Sequence, residues 1–135
     1  MVEVKAYISR EKNGTYSIYV DEKAPINYGL VGEGKTVNDA IHEWNAMYFA
    51  MKESYAKDNM PFVEADFKFA YDVPSFLSYY SNIISLKGLS KLTGISAAQL
   101  SQYARGYRNP SPKTTAKIQN GLHSIAQELS QVALF

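Results

Sequence analysis

The sequence predicts an α+β protein in two parts. Residues 1–72 are expected to form a small β-β-β-α-β domain, and residues 73–135 an all-α domain. Apolar residues alternate with polar ones in several segments of the first part, whereas in the second part they recur every three or four residues. The charge divides at the same place. Up to Val73 there are 8 Lys and Arg against 12 Asp and Glu, a net of −4, and after it 6 against the single Glu128, a net of +5.

Three strands are predicted before the helix of the N-terminal domain. In Glu3–Ser9 the apolar side chains fall on alternate positions, which is the period of a half-buried strand. Asn13-Gly14 then predicts a tight hairpin turn into Thr15–Val20, a segment rich in β-branched and aromatic residues. Tyr28–Gly34 is expected to form the third strand, and its glycines allow a close approach by another segment.

One helix and a returning strand complete this domain. Thr36 is expected to cap the helix, because Asp39 three residues later nearly completes a capping box. A broad apolar face is expected to pack on the sheet, and it consists of Val37, Ala40, Ile41, Trp44, Tyr48, Met51 and Tyr55. The helix is expected to end within Asp58–Pro61, and Ala65–Tyr71 alternates again as the fourth strand.

Proline marks the first and the last helix of the C-terminal domain. The first is expected over Ser75–Ile84, directly after Pro74. Its apolar residues, expected in the core of this domain, are Phe76, Leu77, Tyr80, Ile83 and Ile84. The last helix is expected to begin at Ser111-Pro112, a capping serine followed by proline. Its apolar residues are Ile118, Leu122, Ile125, Leu129 and Val132. This spacing fits core packing and a dimer seam equally well.

Between these helices, Leu86–Pro110 carries the signals of two short helices that cross at a tight corner. The first short helix is expected over Lys87–Thr93, with Leu89 and Leu92 facing inward. Gly94 follows it and supplies the positive φ that a short helix-to-helix turn needs. These signals predict a helix-turn-helix.

The second short helix is expected over Ala97–Arg105, with Ser96 as its N-cap and Gly106 after its end. Leu100 and Tyr103 are expected to face inward. The outward side chains are short and neutral where the helix begins and basic at its end and beyond. This arrangement suits a helix whose start lies against base edges and whose end lies near phosphates. The predicted DNA-binding residues are Ser96, Ala97, Ala98, Gln99, Ser101, Gln102, Arg105, Tyr107, Arg108 and Lys113.

The run LSKLTGISAAQLSQYARGYRNPSPKTTAKI resembles the lambda-repressor-like, or Xre-type, helix-turn-helix. The matching residues are Leu89, Gly94, Ile95, Ser96, Leu100, Ser101, Gly106, Asn109, Pro110 and Ser111. Ser90 stands where the family usually has alanine, and serine is small enough to keep the two helices close. The resemblance implies binding to double-stranded DNA. Because one recognition helix reads few base pairs, we expect at least a homodimer.

The N-terminal domain, followed directly by a helix-turn-helix, resembles HicB-type antitoxins, whose N-terminal domain is a partial RNase H-like fold. Gly34, Thr36 and Ala40 match the family pattern Gly-x-Thr-x-x-x-Ala where the helix begins, although the usual Pro-Gly segment before it is missing. The resemblance implies an antitoxin of a type II toxin–antitoxin system that neutralises a HicA-like ribonuclease toxin and represses its own operon. The alternative is a free-standing dimeric regulator whose N-terminal domain binds a ligand or only dimerises. The acidic charge suits a basic partner, and it also suits solubility alone.

Signatures of catalysis are weak in this sequence. An RNase H site needs carboxylates that converge on magnesium, and Val4–Ser9 carries none. His42 and His123 lie on separate predicted helices without a nucleophile or a metal-ligand spacing beside them. Gly32-x-Gly34 lacks the third glycine of a dinucleotide fingerprint. We therefore expect no enzyme, no cofactor and no metal.

Cysteine content and apolar run length suggest where the protein is found. The sequence contains no cysteine, which fits a reducing compartment. Its longest apolar run, Ala46–Met51, is far too short to span a bilayer. We expect a cytoplasmic protein that binds no membrane.

Overall fold

The computed structural model describes all 135 residues, which form two compact units, Met1–Tyr79 and Tyr80–Phe135. The boundary between these units follows Tyr79, whereas the sequence predicted a domain boundary between residues 72 and 73. The elements are β1 (Val2–Arg10), β2 (Tyr16–Val20), β3 (Gly32–Gly34), α1 (Val37–Lys57), β4 (Ala65–Tyr71), α2 (Val73–Tyr80), α3 (Leu86–Thr93), α4 (Ala97–Ala104) and α5 (Pro112–Ser130). The predicted α+β class is confirmed.

The strands form one four-stranded sheet in the order β3-β2-β1-β4. β1 and β2 form the predicted hairpin, in which Gly14 has a φ of 87° and the Asn13 side chain accepts a hydrogen bond from the backbone of Thr15 at 3.0 Å. β4 pairs with β1 in parallel, and α1 connects β3 to β4, the two edge strands of the sheet. A parallel pair requires such a long connection, because a tight turn can join only antiparallel strands.

α1 begins where the sequence predicted. The Thr36 hydroxyl accepts from the backbone N–H of Asp39 at 3.0 Å, so one of the free amides of the first turn is satisfied. Trp44 is completely buried between α1 and the sheet, in contact with the ring of Phe67 at a centroid distance of 5.1 Å. The rest of this core consists of Ala6, Ile8, Tyr16, Ile18, Leu30, Val37 and Ala40. Burial of this apolar surface holds the helix on the sheet.

The third strand is shorter than predicted. The ladder with β2 includes only Gly32–Gly34, whereas the sequence predicted a strand over Tyr28–Gly34. Side-chain contacts hold the preceding loop instead, since the Tyr28 hydroxyl donates to the carbonyl of Val63 at 2.8 Å and its ring stacks on Phe62 at 4.3 Å. The apolar pattern of this segment therefore reflects burial without strand pairing.

The helix predicted over Ser75–Ile84 is also displaced. α2 starts two residues earlier, at Val73, because Asp72 accepts from the backbone N–H of Ser75 at 2.9 Å. It ends at Tyr80, and Ile83 is 77% exposed. The expectation that Ile83 contributes to the core is therefore wrong.

The second unit contains α3, α4 and α5, and their inner side chains form its core. Leu89, Leu100, Tyr103 and Ile118 are all at most 3% exposed. Leu92, which the sequence placed on the inner face of α3, is 37% exposed, because Thr93 takes the inward position one turn after Leu89. α5 comes close to the end of α3 at Gly121, where an added Cβ would lie 3.2 Å from the Leu92 carbonyl oxygen.

The apolar series along α5 divides into two parts. Ile118 is buried, and Leu122 and Ile125 are half-buried. Leu129 and Val132 are 61% and 57% exposed. Core packing therefore accounts for the beginning of the series, and a dimer seam for the remainder stays a prediction.

Candidate nucleic-acid interface

The corner between α3 and α4 is built by a glycine and a buried threonine. Gly94 ends α3 with a φ of 75°, and its backbone N–H donates to the Ser90 carbonyl at 2.8 Å. The Thr93 hydroxyl donates to the Leu89 carbonyl at 2.7 Å and accepts from the backbone N–H of Ile95 at 3.2 Å. These bonds satisfy the backbone groups that the sharp turn removes from water, so the direction of α4 is fixed.

Both ends of α4 are capped as the sequence predicted. The Ser96 hydroxyl accepts from the backbone N–H of Gln99 at 3.1 Å. Gly106 has a φ of 73°, and its N–H donates to the Tyr103 carbonyl at 3.0 Å. The N–H of Tyr107 donates to the Gln102 carbonyl at 3.0 Å, which completes a Schellman motif. The chain therefore leaves α4 in a defined direction.

Most of the predicted DNA-binding side chains lie on the surface of this unit. The exposed ones are Ser96, Ala97, Ala98, Gln102, Arg105, Tyr107, Arg108 and Lys113. Gln99 and Ser101 are half-buried. Ala97 and Ala98 open the helix, Arg105 caps its C-terminal end, and Lys113 lies in the first turn of α5. The structure therefore places small neutral side chains at the start of α4 and basic ones at and beyond its end.

Lys117 is a further cation that the sequence-based set did not include. Its Nζ lies 3.7 Å from the position of a Cβ added to Gly94, so α5 brings an ammonium group to the helix-turn-helix corner. It is four residues after Lys113 on the same helix, and this spacing could have indicated a shared face. With Lys87 and Lys91 on α3, the second unit has 6 Lys and Arg against the single Glu128.

Comparison with known proteins supports the helix-turn-helix of the second unit. A family model described as helix-turn-helix matches residues 81–124, a third of the chain. The resemblance of the C-terminal part to lambda-repressor-like domains is thereby confirmed, and the second unit is a helix-turn-helix for sequence-specific DNA binding in transcription regulation. No curated protein and no solved structure matches the chain. The resemblance of the N-terminal unit to HicB-type antitoxins stays a prediction.

The first unit offers a different kind of surface. A groove of about 660 Å³ lies beside the β1–β2 hairpin, and Glu11, Ser17, Tyr19 and Glu33 are among the residues that line it. The Ser17 hydroxyl donates to the Glu11 carboxylate at 2.5 Å. Next to it, the rings of Tyr7 and Tyr19 stack at 5.6 Å. The two carboxylates outnumber Lys12, the one cation that lines the groove, and with the aromatic rings they form a surface that suits cationic groups.

Neither unit shows a metal site or a membrane span. No group of three or more His, Cys, Asp or Glu side chains is placed to hold a metal ion. None of the helices combines the length and the apolar character needed to cross a membrane.

Proposed function

We propose that this protein is a dimeric, sequence-specific DNA-binding repressor, and that it is the antitoxin of a type II toxin–antitoxin pair. In this role the second unit binds the operator of its own operon, and the first unit binds a small basic, HicA-like ribonuclease toxin. No catalytic step is assigned to this chain. A free-standing regulator without a toxin is the alternative.

The arrangement of charge around α4 carries the DNA-binding part of the proposal. Ala97 and Ala98 offer methyl groups that contact thymine methyls, and Gln102 offers an amide for adenine in the major groove. Arg105 and Arg108 follow at the end of the helix, where phosphates lie when the start of a recognition helix enters the groove. Two such helices, about 34 Å apart in a dimer, would read two half-sites.

Two alanine variants separate reading of the sequence from binding to the backbone. Gln102→Ala is expected to cost about 1 to 3 kcal/mol on the cognate operator, with little effect on scrambled DNA. Arg108→Ala is expected to weaken binding to both duplexes alike and to reduce the salt slope by about 0.9. Titrations at several salt concentrations test both expectations. Equal losses on both duplexes for Gln102→Ala would show that this residue does not read sequence.

The acidic first unit supports the antitoxin part of the proposal. Its net charge up to Val73 is −4, and Glu11, Glu33 and Tyr19 line its groove, with the Tyr19 ring stacked on Tyr7. Such a surface attracts a basic protein and speeds its association at low salt. The resemblance to HicB-type antitoxins names the kind of basic protein that we expect.

We expect a small basic protein to be encoded beside this gene, and co-expression with that protein tests the antitoxin role. The full chain is expected to protect cells from that protein. Arg108→Ala is expected to protect equally while it loses repression of the operon promoter, because the two units have separate tasks. Double alanine substitution of Glu11 and Glu33 is expected to abolish protection and to leave repression of the operon promoter unchanged. Growth arrest in the presence of the wild-type chain would favour the free-standing regulator.

A further inference from the structure

Gln99 differs from the other polar side chains of α4 because a residue of the core holds it. Its Nε2 donates to the hydroxyl of Tyr103, one turn later, at 2.5 Å. The Tyr103 side chain is only 2% exposed, so its ring is fixed in the core of the second unit. Gln102, in contrast, is exposed and its side chain makes no such bond. The orientation of the Gln99 amide is therefore coupled to a buried ring.

The bond to Tyr103 leaves Gln99 with the groups that base recognition needs. A glutamine amide has two N–H donors and an oxygen that accepts. With one N–H bound to Tyr103, the oxygen and the second N–H are available. An adenine in the major groove presents N6–H as a donor and N7 as an acceptor, which is the complementary pair.

We propose that Tyr103 is a positioning residue that orients the Gln99 amide, and that Gln99 thereby determines a preference for adenine at one position of the DNA site. This inference rests on the proposed DNA-binding function. Holding a long side chain in place before binding removes part of the ordering cost, which corresponds to about 2- to 12-fold in affinity.

Tyr103→Phe tests the inference, because it removes the hydroxyl and keeps the ring in the core. The full-length wild-type protein first selects binding sites from a pool of randomised DNA duplexes. Affinity and base preference are then measured on the selected duplex for Tyr103→Phe, Gln99→Ala and the double variant. Thermal melting shows that each variant is folded.

Gln99→Ala is expected to weaken binding about 5- to 150-fold and to relax the preference for one adenine. Tyr103→Phe is expected to weaken binding about 2- to 12-fold and to relax the preference at the same base pair. In the Gln99→Ala background, Tyr103→Phe is expected to have no further effect on affinity. Gln102→Ala serves as the matched control, since Tyr103→Phe should weaken binding in that background as it does in the wild type.

The outcomes separate this inference from the proposed function. If the wild-type protein selects a site and Tyr103→Phe keeps the same base preference on that site, only the positioning role is overturned. The same conclusion follows if Tyr103→Phe weakens binding equally in the wild-type and Gln99→Ala backgrounds, because the hydroxyl then acts independently of Gln99. If the wild-type protein enriches no sequence, sequence-specific DNA binding and the inference both fail.

Discussion

Replacing Gly34 with alanine is expected to destabilise the first unit severely. A Cβ at this position would lie 2.5 Å from the backbone nitrogen of Ala40, 2.7 Å from the Cβ of Asp39 and 2.8 Å from its carbonyl carbon. All three atoms belong to the first turn of α1, and each is a backbone atom or is bonded directly to the backbone. No side-chain rotation therefore relieves the overlap. β3 or the start of α1 must move. The glycine of the Gly-x-Thr-x-x-x-Ala pattern thus has a steric reason at Gly34.

The expected magnitude follows from the rigidity of these neighbours. Added methyl groups in packed sites cost about 1 to 3 kcal/mol, occasionally more, when side chains can shift. Because two of the neighbours of Gly34 are backbone atoms and the third is a Cβ whose position the backbone fixes, we expect a cost of about 3 kcal/mol. For a unit of the size of Met1–Tyr79, each kcal/mol lowers the melting temperature by about 4 to 8 °C. Gly34→Ala should therefore lower it by about 12 to 24 °C.

Tryptophan fluorescence provides the assay. Trp44 is the only tryptophan in the chain and is completely buried in the first unit, so its emission reports the unfolding of that unit. Gly29→Ala is the matched control, because no atom lies within 4 Å of the added Cβ. It should change stability by less than about 0.5 kcal/mol. Melting of Gly34→Ala within about 2 °C of Gly29→Ala would refute the close packing of β3 on α1.

Three further predictions concern the turn at Gly94, the pKa of Tyr28 and the DNA interface at Lys117. Gly94→Ala should destabilise the second unit by about 1 to 2 kcal/mol, since alanine is strained at a φ of 75°. Thermal melting followed by circular dichroism measures this loss, and an unchanged melting temperature would contradict the left-handed turn. Burial, with a smaller contribution from Tyr48, raises the pKa of Tyr28 to about 12. The free energy of unfolding of the first unit should therefore fall as the pH rises from 10 to about 12, because only the unfolded state loses this proton in that range. Denaturant titrations at several pH values measure this fall, which should be less steep in Tyr28→Phe. Lys117→Ala should weaken binding to cognate and scrambled duplexes alike and reduce the salt slope by about 0.9, whereas a loss on the cognate duplex alone would place this residue near a base.

The features that the sequence predicted best depend on residues close together in the chain. Thr36, Ser96 and Ser111 each cap a helix by accepting from a backbone N–H three residues later. Gly94 and Gly106 both have the positive φ expected of them. Such interactions are complete within one turn, so the local sequence is sufficient to indicate them. The corner and both ends of α4 were predictable for this reason.

The features that the sequence missed depend on partners far along the chain. Tyr28 is fixed by the carbonyl of Val63, 35 residues away, and this contact replaces the strand pairing that the apolar pattern of the segment suggested. Lys117 reaches the corner at Gly94 only because α5 packs against α3. The contact of Tyr28 leaves no periodic signal in the sequence, and the spacing of Lys113 and Lys117 indicates a shared face of α5 but not the contact of that face with the corner.

Gln99 shows why periodicity alone describes the interface incompletely. Its position on α4 indicates an outward side chain, and Tyr103 at the next turn indicates an inward one. The structure joins the two, because the tyrosine ring is buried while its hydroxyl reaches the glutamine amide. A tyrosine combines an apolar ring with a polar tip, and the i, i+4 spacing places that tip beside Gln99. Changes in the core that shift the Tyr103 ring should therefore alter base preference without touching any residue on the DNA-facing surface.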